Sequence, residues 1–373
     1  MHFALTSEQR LIKDNVRSLL TRTAGLERLR AVIESGTGFD AALWNSLAGG
    51  IGCAGLMVPE SYGGSGLRAV EMALVLEETG RTLAVVPLFE TAVLAVQAIL
   101  LLGTHAQKQT LLPDIAAGRT RAAVAITGSS GLPFPDGVAV AMDRNGGGWR
   151  LNGSAGFVTF AHVADLLLIL TRSQDGLSVV ALRAVTVGVS IERLISLDPT
   201  RPLCRVDLDD VYVSDDAVLG EPYTATEALS LMLAIGAGLL ASEQTGGAEF
   251  CLSSTVDYAK QRVQFGRVIG SFQAVKHELA DMMVAVEAAR SAALYAAAAI
   301  DAGGDELFEA ASVARVWCSE TYRQCAAEAI QLHGGIGFTW EHHAHWYFKR
   351  ARSSSTWLGE PALHRERVAQ LIL

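Results

Sequence analysis

Apolar positions along this chain change their period twice. Up to about residue 118 they recur at helical spacing. Ala69–Thr79 and Glu90–Leu102 carry apolar residues at i, i+3 and i+4, and His105–Ala117 follows in the same manner. Thr6-Ser-Glu-Gln-Arg-Leu-Ile opens an earlier helix with a hydroxyl cap. The turn Pro59-Glu-Ser-Tyr-Gly-Gly-Ser-Gly66 punctuates this zone. From about 119 to 220 the period shortens. Ala122–Thr127, Gly137–Met142, Trp149–Asn152, Leu166–Thr171, Val179–Leu182 and Arg205–Val213 read as strands, separated by clusters such as Asp143-Arg-Asn-Gly-Gly-Gly148. These predict a small antiparallel sheet domain or barrel. From about 221 onward longer helices return, over Thr226–Arg262, Ser271–Ala302 and Asp305–His333. Alanine-rich faces such as Ala288–Ala299 suit close helix packing in a bundle. The expected layout is α+β, with domains at 1–118, 119–220 and 221–373. No internal repeat or low-complexity segment is evident.

Composition narrows the class of function. Half of the 373 residues are apolar, which predicts a well-buried globular protein. The net charge of −9, with no basic run to offset it, argues against nucleic acid as the main partner. The start, Met1-His-Phe-Ala-Leu-Thr-Ser-Glu8, lacks the basic region of a signal peptide. The longest apolar runs, Thr91–Gly103 and Ala228–Ala241, fall below the roughly 18 residues of a membrane span, so none is expected. Five dispersed cysteines (Cys53, Cys204, Cys251, Cys318 and Cys325), with no Cys-x-x-Cys, predict buried thiols in a reducing cytoplasm. His333, His342, His343 and His345 follow no familiar ligand spacing, so no metal site is expected.

Two motifs carry the chemistry. The first is Tyr258-Ala-Lys-Gln-Arg-Val-Gln-Phe-Gly-Arg-Val-Ile-Gly-Ser-Phe-Gln273, and the second is Gln331-Leu-His-Gly-Gly-Ile-Gly337. Arg262 offers a permanently charged fork suited to a pyrophosphate. Gly334 and Gly335 admit close backbone approach. Gln273 and Gln331 each present a donor and an acceptor. Taken singly, Arg262 also reads as a surface ion pair and Phe265 as core. Their joint spacing, with the weaker Pro59-Glu-x-x-Gly-Gly, resembles the acyl-CoA dehydrogenase family over essentially the whole chain. The resemblance implies an N-terminal helical domain, a central β-barrel-like domain and a C-terminal four-helix bundle. It implies FAD as cofactor, an acyl-CoA as substrate, an electron-transfer protein as acceptor, and a tetramer. It also implies that Arg262, Phe265 and Gln273 reach a flavin held mainly by a neighbouring subunit. Phe157-Val-Thr159 resembles the strand whose threonine bonds flavin N5, which implies cofactor contacts for Phe157 and Thr159. Ala125-Ile-Thr127-Gly-Ser-Ser130 matches a further flavin-edge segment at Thr127, but Gly128 replaces its acidic residue.

The same resemblance exposes a gap. The family removes an acyl α-proton with a carboxylate in the C-terminal loop, and this chain has Leu358 there. A second position used in the family falls at Gly236. Glu360 and Glu243 are the nearby acids, and bland readings suit both: helix entry before Pro361 for Glu360 and a paired helix residue for Glu243. Three functions follow. The chain is the base-lacking half of a heterotetrameric dehydrogenase, similar to small subunits that act on bulky acyl-CoA esters such as steroid side chains. Alternatively it is a self-sufficient homo-oligomer with an unconventional base, or a structural or regulatory subunit without flavin.

Overall fold

In the computed structural model, the described residues are 5–128, 130–132 and 134–372. The expectation about the first four residues therefore lies outside them, as does Ser129 of the Thr127 segment. Six α-helices come first: α1 (Ser7–Thr23), α2 (Leu26–Glu34), α3 (Ala41–Trp44), α4 (Ala69–Arg81), α5 (Val96–Leu102) and α6 (His105–Ala116). Seven strands follow: β1 (Ala122–Ala125), β2 (Val140–Asn145), β3 (Gly148–Thr159), β4 (Leu166–Arg172), β5 (Leu177–Arg183), β6 (Val189–Arg193) and β7 (Leu203–Ser214). Then come α7 (Thr226–Gln261), the hairpin β8 (Val263–Gln264) and β9 (Arg267–Val268), α8 (Gln273–Ala302), α9 (Glu306–His333), α10 (Ala344–Thr356) and α11 (Pro361–Ile372). Thr6 caps α1 in a reciprocal capping box with Gln9, in keeping with the hydroxyl cap expected there. Glu90–Leu102 is not one α-helix: Glu90–Ala95 winds as a π-helix before α5 begins.

Contacts divide the chain into two compact units. One comprises Gly36–Arg68 and Val85–Gly236; the other comprises the segment up to Ser35, Ala69–Ala84 and Ala237 onward. The first unit holds the sheet, in the order β1-β4-β2-β3-β7-β6, with β5 on β4. The sheet is mixed, where the sequence predicts an antiparallel one: β1 and β2 both run parallel to β4. Alternation marks a strand but not the direction of its partner, which long connections decide. β3 is also longer than its predicted run, because Gly153 and Gly156 interrupt the pattern without ending the strand. β6 is absent from the predicted strands, since its sequence is half exposed and polar. The inner face of this sheet packs Met142, Trp149, Leu151, Ile169, Val180 and Val206.

The second unit is helical. Ala241 of α7, Ala289, Ala293 and Ala296 of α8, and Ala310, Ala314 and Cys318 of α9 form its thin central layer. Small side chains let these long helices approach closely. α4 and α7 come nearer still. A Cβ on Gly246 would lie 1.8 Å from the carbonyl of Glu77, and one on Gly80 would lie 1.9 Å from that of Glu243. Beside the crossing, Glu78 accepts both Nε and Nη2 of Arg17 at 2.9 and 2.8 Å, and Glu77 accepts Lys13 at 2.7 Å and Arg290. These pairs tie α1, α4 and α8 together. α7 and α8 are long and apolar enough to span a membrane by length and composition, but 72% of the apolar window of α7 is buried inside the fold, against 33% for α8.

The crossing generates a direct expectation. Gly246→Ala gains helix propensity of about 1 kcal/mol. It also drives a methyl group into a backbone carbonyl, a clash that neither helix can relieve by a rotamer change. A net loss of about 3 kcal/mol is expected, read as a lowered urea midpoint. An unchanged midpoint would show that the helices are not in backbone contact.

Candidate functional site

The site is built from the C-terminal ends of α7 and α9. α7 unwinds after Gln261, and Arg262 opens the turn into the β8–β9 hairpin, with its carbonyl accepting Ile269 N–H at 2.8 Å. Phe265 sits at the hairpin tip with φ +54 and is 91% exposed. A bulky residue in the left-handed region costs about 1–2 kcal/mol, so the hairpin must hold it there. Phe272 meets its ring edge-on at 6.1 Å, and Arg267 lies 4.0 Å over Phe272. Gln273 is the exposed first residue of α8.

α9 ends at His333, and Gly334 turns the chain with φ +64. A Cβ added at Gly334 or Gly335 would meet no protein atom within 4 Å. Packing inside the chain therefore does not demand glycine at 335; the loop leaves open backbone that a side chain would cover. Gln331 is exposed beside it. The two motifs are joined by Tyr258, one turn before Arg262, whose hydroxyl donates to the His333 carbonyl at 3.2 Å. Tyr258 also begins a run of rings. It stacks on His333 at 4.4 Å, His333 meets His342 at 4.4 Å, and His342 stacks on His343 at 4.2 Å. Phe250 of α7 and Tyr347 of α10 close the far end against His343. The rings stack instead of converging, and among the described residues no group of three or more His, Cys, Asp or Glu side chains is placed to hold a metal ion.

The other sequence candidates lie in the sheet unit. Thr127 forms an isolated bridge with Gly156, and Gly156 N–H donates to the Thr127 carbonyl at 2.8 Å. Phe157 occupies the bulge between Ala155 and Val158, with φ +57, and is 45% exposed. Thr159 pairs with Leu203 and is 4% exposed. All three thus share one end of β3.

The acids differ sharply. Glu243 is buried in α7 and accepts Arg350 Nη1 at 3.0 Å. Glu360 is exposed just before α11, with its carbonyl accepting His364 N–H at 3.2 Å. Leu358 is half-buried with φ +58. The loop around Leu358 is gripped by Arg315 of α9 and by His364 of α11, residues outside both sequence motifs. A signal exists in the sequence: Arg315 lies on the same helical stripe as Ala311, Cys318 and Tyr322, where a charge needs a reason.

The donor set suits a flavin dinucleotide. Among the described residues the exposed Arg262 guanidinium forms no ion pair, and it stands between Tyr258, which bonds the His333 carbonyl before the open glycine turn, and the exposed Phe265. A planar guanidinium of this kind has the chemistry to take a phosphate anion.

Comparison with known proteins agrees. Residues 6–119 match the acyl-CoA dehydrogenase N-terminal domain, and residues 226–373 match the C-terminal domain. The chain is 35% identical to acyl-CoA dehydrogenase IpdE2 of Mycobacterium tuberculosis over 95% of its length and 94% of the relative's. Among solved structures, the Tcur3481-Tcur3483 steroid ACAD variant superposes with a TM-score of 0.86 at 34% identity, covering 98% of this chain and 97% of that one. The ChsE4-ChsE5 complex of Mycobacterium tuberculosis superposes with a TM-score of 0.91 at 27% identity, covering 99% and 98%. The chain belongs to the acyl-CoA dehydrogenase family, a family of FAD-dependent oxidoreductases.

Buried imidazoles make the folded state sensitive to acid. Burial lowers His342, His345 and His364 to about 4 and His343 to about 3, with neighbouring rings and cations adding to the effect. An unfolded chain takes up these protons near pH 6.5, and the folded chain resists until pH reaches those values. Their stability is therefore complete above pH 6.5 and is lost as pH falls toward 4. The urea midpoint should drop across that window, and more shallowly in a H342F/H343F variant. Parallel slopes in the two proteins would remove the ring stack as the cause.

Proposed function

We propose that this chain is the base-lacking half of a heterotetrameric FAD-dependent acyl-CoA dehydrogenase. The observation that carries the reading is the state of the acids. The family's loop position is Leu358, and Glu243 is committed to Arg350 inside the helical unit. A proton acceptor must be mobile or within reach of its substrate, and an internal ion pair is neither.

Arg262 would neutralise the pyrophosphate, Gly334 and Gly335 would offer backbone donors, and Gln273 and Gln331 would bond the polar dinucleotide. Phe265 would cover it from across a subunit boundary. Thr127, Phe157 and Thr159 are the residues of the sheet unit assigned to the flavin edge. Bound FAD would supply the hydride acceptor for α,β-dehydrogenation of an acyl thioester. A partner subunit of the same family would bring the carboxylate, and an electron-transfer protein would take the electrons. The likeness to a steroid ACAD and to a two-component complex supports a bulky acyl-CoA and a heteromeric assembly. The family's domains would fall at 1–118, 119–220 and 221–373. Five buried free cysteines suit a cytoplasmic site of action.

An absorbance spectrum tests this. Purified alone, the chain should be colourless or inert toward acyl-CoA, turning yellow and bleachable only with its partner subunit. Bleaching of the chain alone would overturn the assignment and make exposed Glu360 the acid to substitute. In the yellow assembly, Arg262→Ala should remove most of the 450 nm absorbance, a loss of about 2–3 kcal/mol from one uncompensated phosphate contact. Undiminished flavin in that variant would remove Arg262 from the site.

A further inference from the structure

Arg315 is wholly buried on α9. Its Nη1 donates to Gln244 Oε1 at 3.1 Å and to Ser319 Oγ. Its Nη2 donates to the carbonyls of Ser354 at 2.5 Å, Trp357 at 2.7 Å and Gly359 at 3.3 Å. α10 ends at Thr356 with Trp357 as its C-cap, so Ser354 and Trp357 belong to the carbonyls that a helix end leaves without intrahelical partners, and Gly359 lies in the loop beyond. A cation is also favoured there by the helix dipole. A second buried group takes the carbonyl in between. His364 Nε2–H donates to Leu358 O at 3.0 Å, while its Nδ1 accepts the Ser312 hydroxyl at 3.3 Å. Carbonyls 357, 358 and 359 are thus all held by buried side chains.

The backbone they hold is not relaxed. Leu358 has φ +58 and Gly359 has φ +102. A Cβ at 359 would come within 2.9 Å of His364 Nε2, so the close ring contact requires glycine. Leucine at a left-handed position costs about 1–2 kcal/mol, and nothing in its own chemistry asks for that conformation. The conformation is imposed by the surrounding hydrogen bonds, and it fixes the direction of the bond from Cα358 to its side chain.

We propose that Arg315 is a positioning residue. By gripping the carbonyls of residues 354, 357 and 359, it sets the direction in which side chain 358 projects, at the position where the proposed function places the proton acceptor of complete relatives. The meaning of position 358 rests on that reading, but the geometry does not. The frame aims a side chain that takes no proton. Residue 358 therefore presents a fixed apolar contact, and changing it changes the presented group without rebuilding the loop.

A thiol placed at 358 reads the frame directly. The five native cysteines are buried, and burial pushes Cys53, Cys318 and Cys325 up to about 12, so iodoacetamide should select the new thiol in a Leu358→Cys protein. Alkylation is followed by mass spectrometry from pH 6 to 10 in the full chain. Adding Arg315→Met should speed alkylation of the introduced thiol by about tenfold and bring its pH profile to that of a free thiol near 8.5, with the native thiols still unreactive. Arg315→Lys, which keeps the charge but loses the fork, should fall between the two. An identical rate and profile with and without Arg315 would overturn the proposal. So would a Met variant whose native thiols react together with the introduced one, since Arg315 would then be a general packing residue. The assay uses neither flavin nor acyl-CoA. Its failure leaves the dehydrogenase-half reading standing, and a chain active by itself would sink that reading without touching the clamp.

Discussion

One turn of α7, Glu243–Gly247, sets the register of three other helices. Gly246 and Gly80 bring α7 and α4 into backbone contact. A Cβ on Gly247 would lie 2.3 Å from the ring of Tyr322, which fixes α9 against the same turn. Gln244 reaches both Arg315 of α9 and Ser354 of α10, and Glu243 pairs with Arg350 of α10. Each contact is unforgiving for a physical reason. A buried charge or amide that loses its partner retains the full cost of leaving water, so a slip of either helix by one residue is penalised several times over. The glycines add steric exclusion: no other residue fits where two backbones touch.

What lies further from this turn follows from it. With α9 and α10 placed, Arg315 meets the end of α10, and the loop to α11 satisfies its carbonyls on Arg315 and His364. At the other end of α9, the ring run from Tyr258 through His343 fastens the Gly334 turn to α7 and α10. Arg30 of α2 adds a cation over Trp346 at 5.0 Å and donates to the carbonyls of Trp340 and Glu341. The Gly334 turn is therefore held by polar and aromatic contacts on its buried side, and a Cβ at Gly334 or Gly335 would meet no protein atom on the other.

Position 358, where the proposed function places the proton acceptor of complete relatives, is a leucine, and the loop around it is fully built. Charged and polar groups surrounding Leu358 form a complete hydrogen-bonded frame. The identity of residue 358 and the build of the loop around it are separate matters, since the hydrogen bonds that hold the loop go to backbone carbonyls and not to the Leu358 side chain. Buried Arg315 and His364 are costly to leave unsatisfied, so the hydrogen bonds to the loop carbonyls stabilise it independently of the side chain at 358.

Much of the fold was legible in order and type. The switch from helical period to short strands and back was visible from the spacing of Ala69–Thr79, Leu166–Thr171 and Thr226–Arg262. The family was legible because the Tyr258–Gln273 and Gln331–Gly337 segments hold particular residue types at fixed spacing, and the structure leaves Arg262 exposed and the Gly334-Gly335 backbone open. The π-helix at Glu90, the polar strand β6 and the parallel pairings of β4 were not, since each depends on partners distant in sequence. So too with single residues. The sequence by itself determined that position 358 offers no proton acceptor, because identity alone decides that chemistry. Only the tertiary structure decided that Glu243 is committed to Arg350, that Arg315 grips the loop and that Leu358 is held left-handed, because these depend on which helices meet at one turn of α7.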